Sequence, residues 1–268
     1  AAYAGTWDWV TPDPERAGED RPAADVDHCQ VDRLTTVPVR CDFGDPEAPT
    51  TIALVGDSKA MQWLPALQEA AGAHGWRIVT YGKSSCTFAA GRAALASAAY
   101  PACDAWNAAV MTQLSALKPA AVITSGYAAA GWDGRVATRA ALVAGLAQRW
   151  TDLRGQGIAV LPIADNPVSP DDLDVCAARH AKDLTPCAFD RASAVARSGA
   201  PTQRSAATAS GTPLADFTPW ICPTPRCPVV IGHVAVNRAG DHLTATYVRT
   251  LAPRVAAALE TLLDRAPR

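Results

Sequence analysis

"IALVGDSKAMQW" (Ile52–Trp63) decides how this chain is read. Thr51–Val55 is a short apolar run rich in β-branched residues. It stops at Gly56, and a helical pattern starts at once, with Met61, Leu64, Leu67 and Ala71 falling on one face of a helix over Ser58–Ala73. A strand that turns directly into a helix is the elementary unit of a parallel sheet. Ser58 stands at the turn, where the first backbone N–H groups of a helix are unpaired and its dipole favours negative charge. Two readings follow from "GDS". Asp57 or Ser58 caps the helix, or Ser58 is a nucleophile whose developing negative charge the helix start stabilises.

Outward from this unit the alternation continues. Arg77–Tyr81, Ala120–Thr124, Ile158–Ile163 and Pro228–Ile231 read as further strands. Asp104–Leu117 and Arg139–Arg154 read as helices, and His242–Leu263 as a final helix broken near Pro253. Five short apolar strands interleaved with helices predict a flavodoxin-like, doubly wound α/β fold, a parallel five-stranded sheet covered on both faces. Ligands of such sheets bind beyond the carboxyl ends of the strands, and Gly56–Ser58 lies at one of those ends. Residues 1–50 read as a linker and lead-in, and 51–268 as the main domain. Within it, about 164–220 forms an irregular insertion carrying one helix near Asp190–Arg197.

The 268 residues carry a net charge of −2, and 49% of them are apolar. The charge argues against a non-specific nucleic-acid binder, and the apolar share is enough for a sizeable core. No run of about 18 apolar residues spans a bilayer. Ala1–Val10 lacks the charged start and apolar run of a signal peptide, so a removed leader or a fragment of a longer protein is expected. The 8 cysteines fall into sequential couples, Cys29/Cys41, Cys86/Cys103, Cys176/Cys187 and Cys222/Cys227. Their even number and spacing favour disulfides in an oxidising compartment. Zinc is the weaker reading, because there is no Cys-x-x-Cys and no accompanying His pair. Sequential pairing is expected among many possible connectivities. There is no P-loop and no glycine-rich dinucleotide fingerprint after a strand, so neither metal nor cofactor is expected.

His242, in "AGDHLTATYVRTLAP", follows the last strand, from where it can face the end of the first. A serine nucleophile needs such a base, and histidine titrates in the right range. A surface histidine at a helix start is the competing reading. Taken together, "VGDSKAMQW" and "DHLTATYVRTLAP" resemble the SGNH hydrolase/acyltransferase superfamily, more narrowly the extracytoplasmic SGNH domain fused to bacterial membrane acyltransferases of the acyltransferase-3 type. "YGKSSCTF" (Tyr81–Phe88), "YPACDAWN" (Tyr100–Asn107) and "CPVVIGHVAVNR" (Cys227–Arg238) support the resemblance, which covers roughly Cys29–Pro253.

The resemblance implies a three-layer α/β/α SGNH fold. It also implies a serine–histidine site that passes an acyl group, often acetyl, to a hydroxyl of a surface carbohydrate or glycolipid. Ser58 would be the nucleophile, His242 the general base, and the Ser58 backbone N–H an oxyanion donor. Gly82 would match the family's glycine after the second strand. The family's asparagine after the third strand has no counterpart in Ser125-Gly126-Tyr127, so Ser125 or a backbone amide would take its place. The family's Asp-x-x-His would put its acid at position 239, which is Ala239. Asp241 or a backbone carbonyl is then left to hold the imidazole, or Asp241 is only a helix cap. Lys59 stands where relatives often have histidine. It reads as an exposed helix residue, or else as a cation at the pocket rim. Trp63 reads as core and His233 as structural. Trp7 and Trp9 read as a contact with a missing membrane part ahead of a sugar-stacking surface. The implied partners are an acyl donor delivered by a membrane acyltransferase domain of the same polypeptide and a carbohydrate acceptor. The implied setting is the outer face of the cell membrane, and the domain is expected to be monomeric. A secreted carbohydrate esterase using the same residues, and a non-catalytic glycan-binding domain, are the alternatives.

Overall fold

The computed structural model describes residues 10–128, 130–180, 183–238 and 241–265; Trp7, Trp9 and Ala239 lie outside the described residues. At the centre is a sheet of strands β1 (Gln30–Val31), β2 (Arg40–Gly44), β3 (Thr50–Gly56), β4 (Trp76–Lys83), β5 (Ala121–Ser125) and β6 (Ala159–Pro162). Five of these run parallel in the order β1-β4-β3-β5-β6, and β2 lies antiparallel beside β4.

Alternation along β3 sends Ile52 and Leu54 to one face of the sheet and Ala53 and Val55 to the other, as a strand's period of two requires. On the first face lie α2 (Leu64–His74), α6 (Ala245–Thr250) and α7 (Ala252–Arg265). On the second lie α3 (Pro101–Leu117) and α4 (Arg139–Gly155). Both faces are closed, so the core strands are mostly apolar, and Trp63, Trp106 and Trp150 are fully buried between layers. Among the described residues no helix is long and apolar enough to cross a membrane.

Three expectations need correction. Val230–Ile231 does not join the sheet but folds back onto Val234–Ala235. The two turn residues between them, Gly232 and His233, have positive φ (56° and 68°), the backbone that closes a two-residue hairpin. The fifth parallel position belongs to β1, from the lead-in, with Gln30 opposite Gly82 and Val31 opposite Lys83. The final helix does not start at His242. Thr244 caps α6 by accepting from Tyr247 N at 3.0 Å, and Pro253 falls in the first turn of α7, where its missing N–H costs nothing. The 164–220 span is more regular than its sequence suggests. It holds α5 (Ala200–Ser210), which packs on α4 and places Ala206 in the core.

Disulfides join Cys29–Cys41, Cys86–Cys103, Cys176–Cys187 and Cys222–Cys227. The first ties the residue before β1 to β2. The second ties the loop after β4 to α3.

Candidate functional site

Gly56, Gly82 and Ser125 are register partners at the carboxyl edge of β3, β4 and β5. Gly56 has φ 146°, and a Cβ there would lie 2.7 Å from the Ser125 carbonyl oxygen and 2.9 Å from Ala60 Cβ. Only glycine lets the chain leave the sheet this tightly. The short helix α1 (Ser58–Met61) begins two residues later, with Asp57 as its cap accepting from Lys59 N at 2.9 Å. The capping and reactive readings of "GDS" therefore fall on different residues. Asp57 caps, which frees the Ser58 side chain.

That side chain meets His242. Ser58 Oγ and His242 Nε2 are 2.7 Å apart, within the reach a general base needs. His242 lies on β8 (His242–Leu243), paired antiparallel with β7 (Asn237–Arg238). This ribbon brings His242 to the end of β3. Asp241, with φ 58°, opens the strand. Its Oδ1 is 3.7 Å from His242 Nδ1, outside hydrogen-bond distance, and 2.8 Å from Lys59 Nζ. Asp241 is thus brought next to the imidazole but held by Lys59.

Lys59 is not the exposed helix residue its position suggests, being only 1% exposed. Its ammonium faces Asp241 Oδ1 and the Asp241 carbonyl oxygen, both at 2.8 Å, Asn166 Oδ1 at 3.2 Å and Asp165 Oδ1 at 3.4 Å. Asp165 and Asn166 are fully buried and lie three and four residues after the end of β6. Sequence reasoning passed over both. The available signal was "ADN" immediately after an apolar strand, two polar residues at the sheet edge where such folds place their chemistry. Burial raises the Asp165 carboxyl, against the Lys59 charge that lowers it. Lys59 is raised because its carboxylate neighbours, Asp165 and Asp241, outweigh the burial that would discharge it.

At the positions expected to serve an oxyanion, Gly82 packs against Met61 of α1, where a Cβ would come within 3.0 Å. The Ser125 hydroxyl is buried with no hydrogen-bond partner among the described residues. Tyr127 N, one of the amides after β5, is already donated to Asp57 Oδ2 at 3.1 Å.

Asp57 makes a pH prediction. Burial pushes its carboxyl up to about 6, against hydrogen bonds from the Tyr127 and Lys59 amides that lower it. A carboxyl raised on folding favours the folded state when protonated. That stabilisation is complete below the unfolded value of 3.8 and is lost as pH rises through about 6. Asp57→Asn should therefore flatten the stability profile between these pH values by about 3 kcal/mol, the worth of roughly two pKa units. Urea unfolding of both proteins at pH 4 and pH 7 measures it, and equal slopes for the two would refute the assignment.

A three-layer α/β/α sheet that presents a serine at the end of a central strand, in hydrogen-bond contact with a histidine from near the carboxyl terminus, has the arrangement of an SGNH domain. The family model described as "SGNH domain (fused to AT3 domains)" matches residues 28–257, and the chain belongs to that family. The periplasmic domain of the lipopolysaccharide acetyltransferase of Salmonella ser. Paratyphi A shares the fold with a TM-score of 0.61 at 14% identity, over 92% of this chain and 93% of that one. TesA matches with a TM-score of 0.49 at 20% identity, over 80% and 99%. The acetyl xylan esterase AlAXEase matches with 0.48 at 11% identity, over 78% and 99%. At these identities the likeness is one of fold. No curated protein matches the chain.

Proposed function

We propose that this domain is an O-acyltransferase that carries an acyl group, most simply acetyl, as an ester of Ser58 and passes it to a hydroxyl of a cell-surface carbohydrate or glycolipid. The observation that carries the reading is the 2.7 Å contact between Ser58 Oγ and His242 Nε2 at the sheet edge. With Nε2 unprotonated, it takes the Ser58 proton as Oγ attacks the acyl carbonyl. The negative charge gathers on the carbonyl oxygen next to the Ser58 N–H at the start of α1, with Gly82 and Ser125 as the other assigned donors. The proton then passes from Nε2 to the leaving group as the old ester bond breaks. In the second half, a sugar hydroxyl gives its proton to Nε2, attacks the acyl-serine and releases Ser58, which takes the proton back. Asp241 contributes its charge to the imidazolium without a direct hydrogen bond, so Ser58 and His242 act as a dyad.

Residues 51–268 form the catalytic unit in this reading, and residues up to 50 its lead-in. The family's fusion to AT3 domains supports a membrane-tethered donor domain in the same polypeptide. The disulfides support an oxidising, extracytoplasmic setting, with the domain acting as a monomer. Hydrolysis is the second reading, because the His242 side chain is 17% exposed and water can reach the same ester.

Intact-protein mass after brief exposure to p-nitrophenyl acetate tests the proposal. One added acetyl group is expected on the native chain, and none on Ser58→Ala. Acceptor sugars that speed loss of the acetyl group support transfer; loss at one rate with or without them supports hydrolysis. A folded native chain that takes up no acetyl would overturn both and leave a glycan-binding domain.

A further inference from the structure

The chemistry above uses one side chain from α1. The residues that follow it make a second set of contacts, all converging on the backbone around His242. Lys59 Nζ donates to the Asp241 carbonyl oxygen at 2.8 Å, and Asn166 Nδ2 donates to the same oxygen at 2.8 Å. On the other side of the histidine, Leu243 N donates to Gln62 Oε1 at 3.1 Å. The ring closes through Asn166 Oδ1, which accepts from Gln62 Nε2 at 3.0 Å and from Lys59 Nζ at 3.2 Å. The residues before and after His242 are thus gripped by Lys59 and Gln62, which stand one and four positions after Ser58 on the same helical start. Lys59, Gln62 and Asn166 are each no more than 1% exposed, so water does not compete for these bonds.

We infer that Lys59 is a positioning residue, setting the distance between the His242 imidazole and Ser58 by fixing the left-handed Asp241 turn through both its carbonyl and its carboxylate. The inference rests on the Ser58–His242 reading for its kinetic consequence but not for its geometry. Lys59 also decides where the Asp241 charge sits, because the oxygen 2.8 Å from its ammonium is the one 3.7 Å from His242 Nδ1. The other charged groups around this turn are Arg238, the register partner of His242 on the ribbon, and the Asp165 and Asp57 carboxylates, which meet Lys59. The Asp241 carbonyl oxygen takes its hydrogen bonds from Lys59 Nζ and Asn166 Nδ2. Asp165 serves instead as the second counter-charge, with its Oδ2 accepting from Gly199 N at 2.9 Å.

Lys59→Met alone strands the Asp165 carboxylate, so the test uses Lys59→Met combined with Asp165→Asn, which removes a cation and an anion together. Two readouts apply. The first is the nitrogen-15 spectrum of the histidine side chains, in which His242 is followed against His28, His74, His180 and His233. The second is the rate of acetylation by p-nitrophenyl acetate. We expect the His242 ring signals to shift and broaden while the other four stay in place, and the acetylation rate to fall about 100-fold, the scale of a misplacement of about 1 Å. The Asp165→Asn single variant keeps every Lys59 bond to Asp241 and measures the part of any change that belongs to Asp165. A folded double variant with unmoved His242 signals and a rate within about twofold of native overturns the inference. If the native chain is not acetylated, the Ser58 reading fails, and the ring spectrum alone still decides the role of Lys59.

Discussion

Replacing His242 with glutamine should lower the rate of Ser58 acetylation by about 10⁴- to 10⁶-fold, the range seen when a member of a serine–histidine unit is removed. The size follows from the chemistry of the hydroxyl. A serine Oγ attacks a carbonyl only as its proton leaves, and Nε2 at 2.7 Å is the acceptor in contact with it. Glutamine keeps a polar group near Oγ but is not basic, so the proton must go to water. Lys59 cannot substitute, because its ammonium is committed to Asp241 and Asn166 and its burial neighbours hold it charged. The oxyanion donors remain and preserve a residual rate. Single-turnover acetylation, followed by nitrophenolate release for native, His242→Gln and Ser58→Ala chains, gives the comparison. A loss under about 100-fold for His242→Gln would mean that another group takes the proton, and the dyad reading would fall. The fold of the variant is not at stake, since the ribbon carrying residue 242 is held through the backbone of Asp241 and Leu243.

How far the sequence discloses this arrangement depends on whether a signal is local. The unit around Gly56 is wholly local. Apolar strand, glycine and helical spacing sit within a dozen residues, and the structure has the strand and the helix start where the pattern puts them, although the expected Ser58–Ala73 helix is broken at Gln62–Trp63 into α1 and α2. The strands β4, β5 and β6 carry the same kind of signal, and so do the helices α3 and α4. β1 carries none. Two residues gain their place only by lying against Gly82 and Lys83, and their neighbour Cys29 is fixed by the bridge to Cys41. α5 is built mostly from alanine, serine and threonine, whose weak contrast hides its helical period although Ala206 is buried. At the candidate site, the approach of His242 to Ser58 was legible because a serine at a strand–helix junction and a histidine after the last strand stand at marked positions. Lys59 was misread for the opposite reason. A lysine on a short helix is nearly always solvated, and the groups that hold this one, Asp165, Asn166 and Asp241, come from more than a hundred positions away. Ion pairs of that separation leave no trace in spacing. Only the odd placement of "ADN" at a strand end points to them.

The same buried cluster sets the second large expectation. Lys59→Met on its own should destabilise the domain by about 3–5 kcal/mol, the cost of removing one partner from a buried pair and leaving the other charge without compensation. Two carboxylates lose their cation at once, but not equally. Asp241 is 16% exposed in its side chain and can turn to water, whereas Asp165 is 0% exposed and cannot. Asp165 therefore carries most of the penalty, either as a buried anion or by taking up a proton. Adding Asp165→Asn removes that charge and should recover more than half of the loss, because the amide can still accept from Gly199 N where Asp165 Oδ2 does at 2.9 Å. The coupling reads directly as a double-mutant cycle in urea, with a strongly non-additive pair as the expected result. Additive losses would mean that Lys59 and Asp165 do not share their charge. The site would then draw its rigidity from the neutral bonds of Gln62 and Asn166 alone. Non-additive losses, joined to the activity of the same two variants, separate what Lys59 does for the fold from what it does for the histidine. The double variant regains stability without regaining the grip on Asp241, so a chain that is folded and slow is the signature of a lysine whose second task is to hold the base in place.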